Sequence, residues 1–464
     1  MSESTRKHRL KYTVDMLIIL IMCGLLYYAA SWQIFEFYTD AARYQCYAEA
    51  FWHGVAALNQ LPSSQCDFIF HPDKPHISPT ALAQTLQKRG LPVIMVRYVA
   101  SQPSTDRFHA LPYEYPLLTL IPFTLGLLAD PHWYQVAFAF WMLLIAAMMY
   151  LLLVSFRSRK AAIVCACYLI VGSWATAAGR FDLIPATLTL GALLYAVRAK
   201  WKWGFALLAV ATMFKFYPLI LLVPFLLAQQ VQSRAAWYAW RRWLPLAVFS
   251  AVCAVVMVAS LLLNVEGTLA PLSYFGDRPI QVESLSASLI WLVSSFKHDP
   301  ANFAFTFGSL NIISPFSSGI SLIGTGLLIV GLLYTYWLQW QAKIDLAVSC
   351  LLTLLIVMVT GKIFSPQYLI WVTPFVAYVG EYSLWWIVPW GMIGLLTTWI
   401  YPYIYQMSDL LKVPYLPLFF PVTTIRNLLL LTFVLALLWH CSRKPSIRSV
   451  QATSQVLKTV TVRA

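Results

Sequence analysis

The chain has 464 residues, of which 60% are hydrophobic and only 11% charged, with a mean hydropathy of +0.69. A water-soluble domain carries about 25% charged residues, so this chain lacks the polar surface that water demands and is not a soluble enzyme. Its formal net charge of +14 would point to nucleic acid in a soluble protein. Here the cations gather at the ends of apolar segments and form no aromatic-interleaved basic surface, so no nucleic-acid partner is expected.

At the N-terminus the run Arg6-Lys7-His8-Arg9-Leu10-Lys11 precedes an apolar stretch over residues 14–35. About 20 apolar residues cross a bilayer as a helix. A cleaved signal peptide has a shorter apolar region and a small-residue cleavage site, so the stretch reads as a retained signal-anchor. A long loop follows over residues 36–131. It opens with Thr39-Asp40-Ala41-Ala42-Arg43-Tyr44 and contains Cys46 and Cys66. His71, Asp73 and His76 also lie there, in a spacing that suits a solvated loop better than a metal site. Residues 113–128 are apolar again, but Pro116 and Pro122 favour an irregular element that lies along the outer interface or re-enters the membrane.

Further apolar segments fall at roughly 132–156, 161–178, 182–198, 203–215, 217–231, 243–264, 316–339, 344–361, 366–380, 383–400 and 418–440. With the first they predict an all-α polytopic membrane protein of about 12 transmembrane helices. Cationic loops resist translocation, so the basic runs set the orientation. Arg157-Ser158-Arg159-Lys160, Arg198-Ala199-Lys200-Trp201-Lys202, Arg241-Arg242 and the cations of the C-terminal tail all become cytoplasmic if residues 113–128 are not a span. The cytoplasmic side then holds roughly 19 Lys and Arg against 4 acids, and the other side roughly 13 against 14. This bias predicts cytoplasmic termini and two long outer loops, 36–131 and 265–315. The chain reads as one transmembrane domain over residues 1–441 and a polar, disordered cytoplasmic tail over 442–464.

This topology sends nearly all the polar chemistry to the outer side. Asp40 can take a proton from a hydroxyl, or it can cap a helix and pair with Arg43. Arg180, Lys215, Arg278 and Lys362 occupy four different outer turns, where they can hold a lipid-linked phosphate or snorkel to ordinary headgroups. In Arg278-Pro279-Ile280-Gln281-Val282-Glu283-Ser284, Glu283 is a second carboxylate, able to bind sugar hydroxyls or to pair with Arg278. Glu114 is set among aromatics in Tyr113-Glu114-Tyr115-Pro116, which suits sugar stacking and interfacial anchoring alike. Cys46 and Cys66, about 20 residues apart, can form a disulfide in an oxidising compartment, worth about 3 kcal/mol. Cys23, Cys165, Cys167, Cys253 and Cys350 lie inside spans and read as small apolar residues. No phosphate-binding glycine loop, dinucleotide fingerprint or Gly-x-Ser-x-Gly is present, so a cytoplasmic nucleotide site has no support.

Four of these stretches together resemble the type-C glycosyltransferases, and most closely glycosyltransferase family 87, the polyprenyl-phosphate-mannose-dependent α-mannosyltransferase-like proteins. They are Asp40 with Tyr44 after the first span, Gly179-Arg180-Phe181-Asp182 followed by Lys215-Phe216-Tyr217-Pro218, the 278–284 stretch, and Gly361-Lys362-Ile363-Phe364-Ser365-Pro366-Gln367-Tyr368-Leu369-Ile370-Trp371. The chain departs from the family in carrying a single proline in Tyr115-Pro116-Leu117 and no second acid two residues from Asp40. The resemblance implies a polytopic transferase in a bacterial plasma membrane, with its site on the extracytoplasmic face and a polyprenyl-phosphate sugar as donor. No cofactor and no metal ligands are implied beyond that lipid donor. Asp40 fits the catalytic base. Arg180, Lys215, Tyr217, Arg278 and Lys362 fit a phosphate cradle. Tyr44, Glu114, Asp182, Glu283, Ser284, Ser365, Gln367 and Tyr368 fit sugar or acceptor contacts.

The expected reaction is inverting transfer of a hexose, mannose by the likeness, to a glycolipid or polysaccharide. A polyprenyl-phosphate pentose such as arabinofuranose is the alternative donor. A secondary transporter or lipid flippase is the alternative class, but it calls for ionisable residues at mid-membrane and paired repeats. A non-catalytic sensor is a third.

Overall fold

The computed structural model describes residues 3–62, 64–73, 77–102, 110–233, 235–297 and 301–445. His76 and the tail beyond residue 445, and with them the disorder expected there, lie outside the described residues. Lipid offers the backbone no hydrogen-bond partner, so an apolar segment satisfies its own amides as a helix, and the chain is predominantly helical. In chain order the first helices are α1 (Glu3–Ala30), α2 (Asp40–His53), α3 (Asp67–Phe70), α4 (Pro79–Lys88), α5 (Val93–Ala100) and α6 (Leu120–Gly126). Next come α7 (Tyr134–Phe156), α8 (Arg159–Gly172), α9 (Leu183–Val197), α10 (Trp201–Phe214), α11 (Leu222–Gln232), α12 (Trp240–Leu263) and α13 (Val265–Asp277). After β1 (Ile280–Gln281) come α14 (Leu285–Lys297), β2 (Asn302–Thr306), β3 (Ser309–Ile313) and α15 (Ser317–Trp340). The chain then runs through α16 (Leu346–Thr360), α17 (Tyr368–Gly380), α18 (Leu384–Thr398) and α19 (Phe419–Ser442).

A helix stands at each of the twelve expected spans, but they fall into two classes. Among the described residues six stretches are long and apolar enough to cross a membrane: Leu10–Ala30, Pro131–Phe156, Trp240–Leu263, Ser317–Trp340, Leu384–Met407 and Phe419–Ser442. By contrast α8, α9, α10, α11, α16 and α17 have 11 to 15 residues. At 1.5 Å per residue they rise only about 17–23 Å, less than a hydrocarbon core of about 30 Å. The all-α polytopic expectation holds, with about half of the twelve segments shorter than a full bilayer crossing. The physical reason is that hydropathy continues where the helix stops. Residues 161–178 are one apolar run, yet α8 ends at Gly172 and a series of turns carries the chain on to Asp182.

Of these short helices α8, α9, α10, α16 and α17 form the buried centre, while few side chains of α12 and α15 are buried. Gly172 lets α8 and α18 touch backbone to backbone: a Cβ there would stand 3.1 Å from the Gly394 Cα, the close approach that small residues permit between membrane helices. At the end of the molecule that carries the N-terminus, Asp15 accepts a forked pair of bonds from Arg159 at 2.7–3.1 Å, and Glu381 accepts from Ser158 and pairs with Arg157. This end is called the tail side. The two long loops and the turns α8–α9, α10–α11 and α16–α17 lie at the opposite end, the loop side.

Residues 113–128 form a single tight turn at Leu117–Thr119 and the seven-residue α6. Tyr134 at the start of α7 donates its hydroxyl proton to the Phe123 carbonyl and leaves no room for a side chain at Gly126, which fixes α6 as a buried wedge. Cys46 and Cys66 are disulfide-bonded, tying α2 to the segment that leads into α3. The second long loop departs from an all-helical expectation by containing a three-stranded antiparallel sheet in the order β1-β3-β2, with Ile280 opposite Ile312 and Gln281 opposite Asn311. Its Ile280, Val282, Leu310 and Ile312 form a small core with Ile400, Ile404 and Phe420.

Candidate functional site

Asp40 is the first residue of α2, and Thr39 caps that helix by accepting from the Ala42 amide. The cap frees the Asp40 carboxylate to reach across to Arg180 in the α8–α9 turn, at 2.6 Å. Arg43, one turn along α2, pairs instead with Glu114 and lies over the Phe68 ring. The Asp40–Arg43 pair considered from the sequence is therefore absent. Burial pushes the Glu114 carboxyl above the usual carboxylate range, against the pull of Arg43. Tyr44 stacks on Phe123 at 4.2 Å and touches Phe138, Phe181 and Tyr115. It belongs to the core that positions Asp40.

Asp182, buried, accepts from the Lys215 ammonium at 2.7 Å and from the Trp371 indole. Lys215 is buried as well and sits between the rings of Phe181 and Trp371. Its charge is balanced within the protein, so it is a strut between turns and not a free cation. Trp371 lies between Tyr217 at 4.1 Å and Tyr368 at 3.8 Å, a three-ring stack built from two of the turns. The Gln367 side-chain oxygen is buried without a hydrogen-bond partner among the described residues.

The 278–284 stretch is docked on the α16–α17 turn. The Gln281 amide donates to the Lys362 carbonyl at 3.0 Å, and the Gln281 and Ser365 side chains exchange hydrogen bonds. Ser284 caps α14, accepting from the Ala287 amide at 3.1 Å; it is fully buried. Glu283 does not pair with Arg278. Its carboxylate meets Arg426 of α19 at 3.2 Å and the Tyr405 hydroxyl at 3.0 Å, while Arg426 and Asn427 both donate to its carbonyl. Burial raises the Glu283 carboxyl above its ordinary range even so. Ser284, Ser365 and Glu283 thus build the loop.

Two cations remain open. The Lys362 ammonium, half-buried, donates to the Gly276 carbonyl at 2.9 Å, and burial together with nearby Arg278 lowers its affinity for a proton. Arg278 leans over Tyr274 at 5.8 Å, and its Nε is buried without a partner among the described residues. Neither forms an ion pair among the described residues. Tyr368 lies within electrostatic reach of Arg278, Asp182 and Arg180, and Glu114 of Asp40 and Arg278. The loop side thus gathers the carboxylates Asp40, Glu114 and Asp182, the cations Arg180, Arg278 and Lys362, and an aromatic stack. Among the described residues no group of three or more His, Cys, Asp or Glu gathers where a metal could sit.

No family model matches the chain, and no curated protein matches it. Among solved structures it is similar to ArnT from Cupriavidus metallidurans in the apo state, at 15% identity and a TM-score of 0.38, over 95% of this chain and 78% of that one. An overlap so loose assigns neither fold nor activity, and the reading of the site rests on its own geometry.

Sequence reasoning passed over Arg426, Asn427, Tyr405 and Tyr401, whose ring lies 5.8 Å from the Arg180 guanidinium. Arg426 did carry a signal. A lone arginine inside the apolar run 418–440 is costly in a membrane helix and needs a partner there. Tyr401 and Tyr405 follow α18 in a kinked segment whose path no periodicity announces.

Proposed function

We propose that the protein is a membrane glycosyltransferase that moves a sugar from a polyprenyl-phosphate donor to an acceptor hydroxyl at the loop side, outside the cytoplasm. The observation that carries this reading is the partly open Asp40 carboxylate on Arg180, on the same loop side as Arg278 and Lys362, two cations without an acidic partner among the described residues. A carboxylate beside an anion cradle suits displacement of a phosphate leaving group. Asp40 takes the proton as the acceptor oxygen attacks the anomeric carbon. The carbon–oxygen bond to phosphate breaks, and the lipid phosphate leaves with the electron pair, stabilised by Arg278 and Lys362. Arg180 orients Asp40 before attack and stands close enough to share the developing charge. One displacement inverts the anomeric configuration.

The sugar would lie on the stack of Tyr217, Trp371 and Tyr368, with the unpartnered Gln367 oxygen accepting from one of its hydroxyls; a buried acceptor left unpaired calls for a donor. Asp182 and Lys215 brace this platform. Mannose, with a glycolipid or polysaccharide acceptor, is the reading favoured by the motif resemblance, and arabinofuranose is the pentose alternative. The basic tail side would face the cytoplasm of a bacterial cell. Incubation of the purified protein with radiolabelled polyprenyl-phosphate-mannose or polyprenyl-phosphate-arabinofuranose and a membrane-lipid acceptor fraction tests the reading. A labelled product from one donor, absent with Asp40→Asn, is expected. Vesicle uptake of the lipid without product would replace the transferase by a flippase.

A further inference from the structure

On the tail side, far from Asp40, α15 and α19 leave a groove between them. Tyr334 of α15 and Leu435, Ala436, Leu438, Trp439 and Ser442 of α19 line it, and its volume is about 530 Å³, within the roughly 300–1,000 Å³ of ligand sites. Both walls belong to lipid-facing surface: Val330, Leu333 and Trp337 are exposed on α15, and Leu435 and Trp439 on α19. The groove therefore opens toward hydrocarbon and continues the surface that already meets lipid.

Its tail-side end is cationic. Lys343, just after α15, donates to the Ser442 carbonyl at 2.8 Å and lies 5.8 Å from the Trp337 ring. Arg443, just after α19, lies 4.0 Å over the Trp439 ring. Each wall thus ends in a cation held against an indole. An ammonium has three donors, of which Lys343 uses one, and a stacked guanidinium still presents its edge. Lys444 adds a further charge. The acid nearby is Asp345, whose oxygen caps α16 by accepting from the Val348 amide, which leaves the mouth net positive.

We propose that this groove binds an anionic glycerophospholipid, with one acyl chain along the α15–α19 cleft and its phosphate between Lys343 and Arg443. The apolar walls admit a chain, the indoles sit at headgroup level as membrane-interface tryptophans do, and the two cations select a negative headgroup. The lipid would fasten the peripheral α15 to α19, the helix that carries Arg426. The proposal is independent of the transferase reading.

The test titrates the detergent-purified full chain with dioleoyl phosphatidylglycerol, dioleoyl phosphatidylcholine or undecaprenyl phosphate and reads bound lipid by native mass spectrometry. Phosphatidylglycerol should be retained about tenfold better than phosphatidylcholine, the scale expected of basic residues acting on an anionic headgroup. That preference should vanish in Lys343→Ala/Arg443→Ala. It should also fall in Ala436→Trp, which fills the groove while leaving Lys343 on the Ser442 carbonyl. Equal retention of the two phospholipids, or phosphatidylglycerol binding unchanged in both variants, overturns the proposal. Preferential retention of undecaprenyl phosphate that Ala436→Trp abolishes overturns it too, by giving the groove to a prenyl lipid.

Discussion

Asp40 and Glu283 are both loop-side carboxylates held by an arginine, yet their surroundings differ. The Asp40 and Arg180 side chains keep 27% and 17% of their surfaces exposed, whereas those of Glu283 and Arg426 keep 2% and 0%. The first pair reaches solvent, so a substrate could exchange with it under the proposed mechanism. The second is enclosed by Tyr405, Asn427 and the Phe364 ring and holds the 278–284 stretch against the α16–α17 turn. The two pairs differ in exposure, and the carboxylate proposed for chemistry is the exposed one.

The largest effect that could break this contrast comes from Asp40→Asn. If Asp40 is the base, transfer should fall by about 10²–10⁴-fold while the thermal midpoint stays close to that of the parent protein. Initial rates and a melting curve on the same preparation check both halves. A large drop in the midpoint would place Asp40 with Glu283 as a structural acid.

Arg426→Met should do the reverse and destabilise the fold by about 3–5 kcal/mol, because it strands a buried carboxylate. Adding Glu283→Leu removes the stranded charge, and a buried pair replaced by apolar side chains is often neutral for stability. The double variant should therefore melt near the parent; if the 278–284 stretch holds the donor phosphate, its affinity for polyprenyl phosphate should stay low, since one of the two side-chain donors to the Glu283 carbonyl is lost. Recovery of both properties would show that the pair only stabilises.

The Cys46–Cys66 bond sharpens the contrast from the Asp40 side. It closes a 20-residue separation around the C-terminal part of α2, and Cys46→Ala/Cys66→Ala should cost about 3 kcal/mol. Hydrogen exchange should rise in α2 and the Asp40 turn, with the Glu283 segment unchanged.

Much of this arrangement was legible in the sequence because membrane proteins write their spans in hydropathy and their turns in charge. Asp40, Arg180, Lys362 and Arg278 stood out as polar residues at the edges of apolar runs. Pairing was not legible. Asp40 sits three residues from Arg43, and local spacing favours that pair, but the α2 cap turns Asp40 toward Arg180, 140 positions away, and leaves Arg43 to Glu114. Likewise Arg278 is five residues from Glu283, whereas Arg426 reaches it from α19. Helix length was hidden for a similar reason. The backbone of α8 stops at Gly172 while the side chains remain apolar, and hydropathy measures only the side chains.

The smallest expected effect concerns Lys362, which stands between the two regions. Burial and the neighbouring Arg278 lower its proton affinity from the ordinary value of about 10.4. The ammonium is charged below its own pKa, so binding of a polyprenyl phosphate should weaken on the alkaline side at a lower pH than an exposed lysine would give, by about tenfold for loss of one charged contact. Folding has the opposite slope. Between the folded and unfolded pKa values the unfolded chain binds more protons, so the lysine favours the folded state increasingly as pH rises through that window. A fall in affinity with an unchanged or higher melting temperature therefore separates deprotonation from unfolding. Lys362→Arg should flatten the profile, because a guanidinium keeps its charge throughout. An identical alkaline fall in that variant would remove Lys362 from the anion cradle.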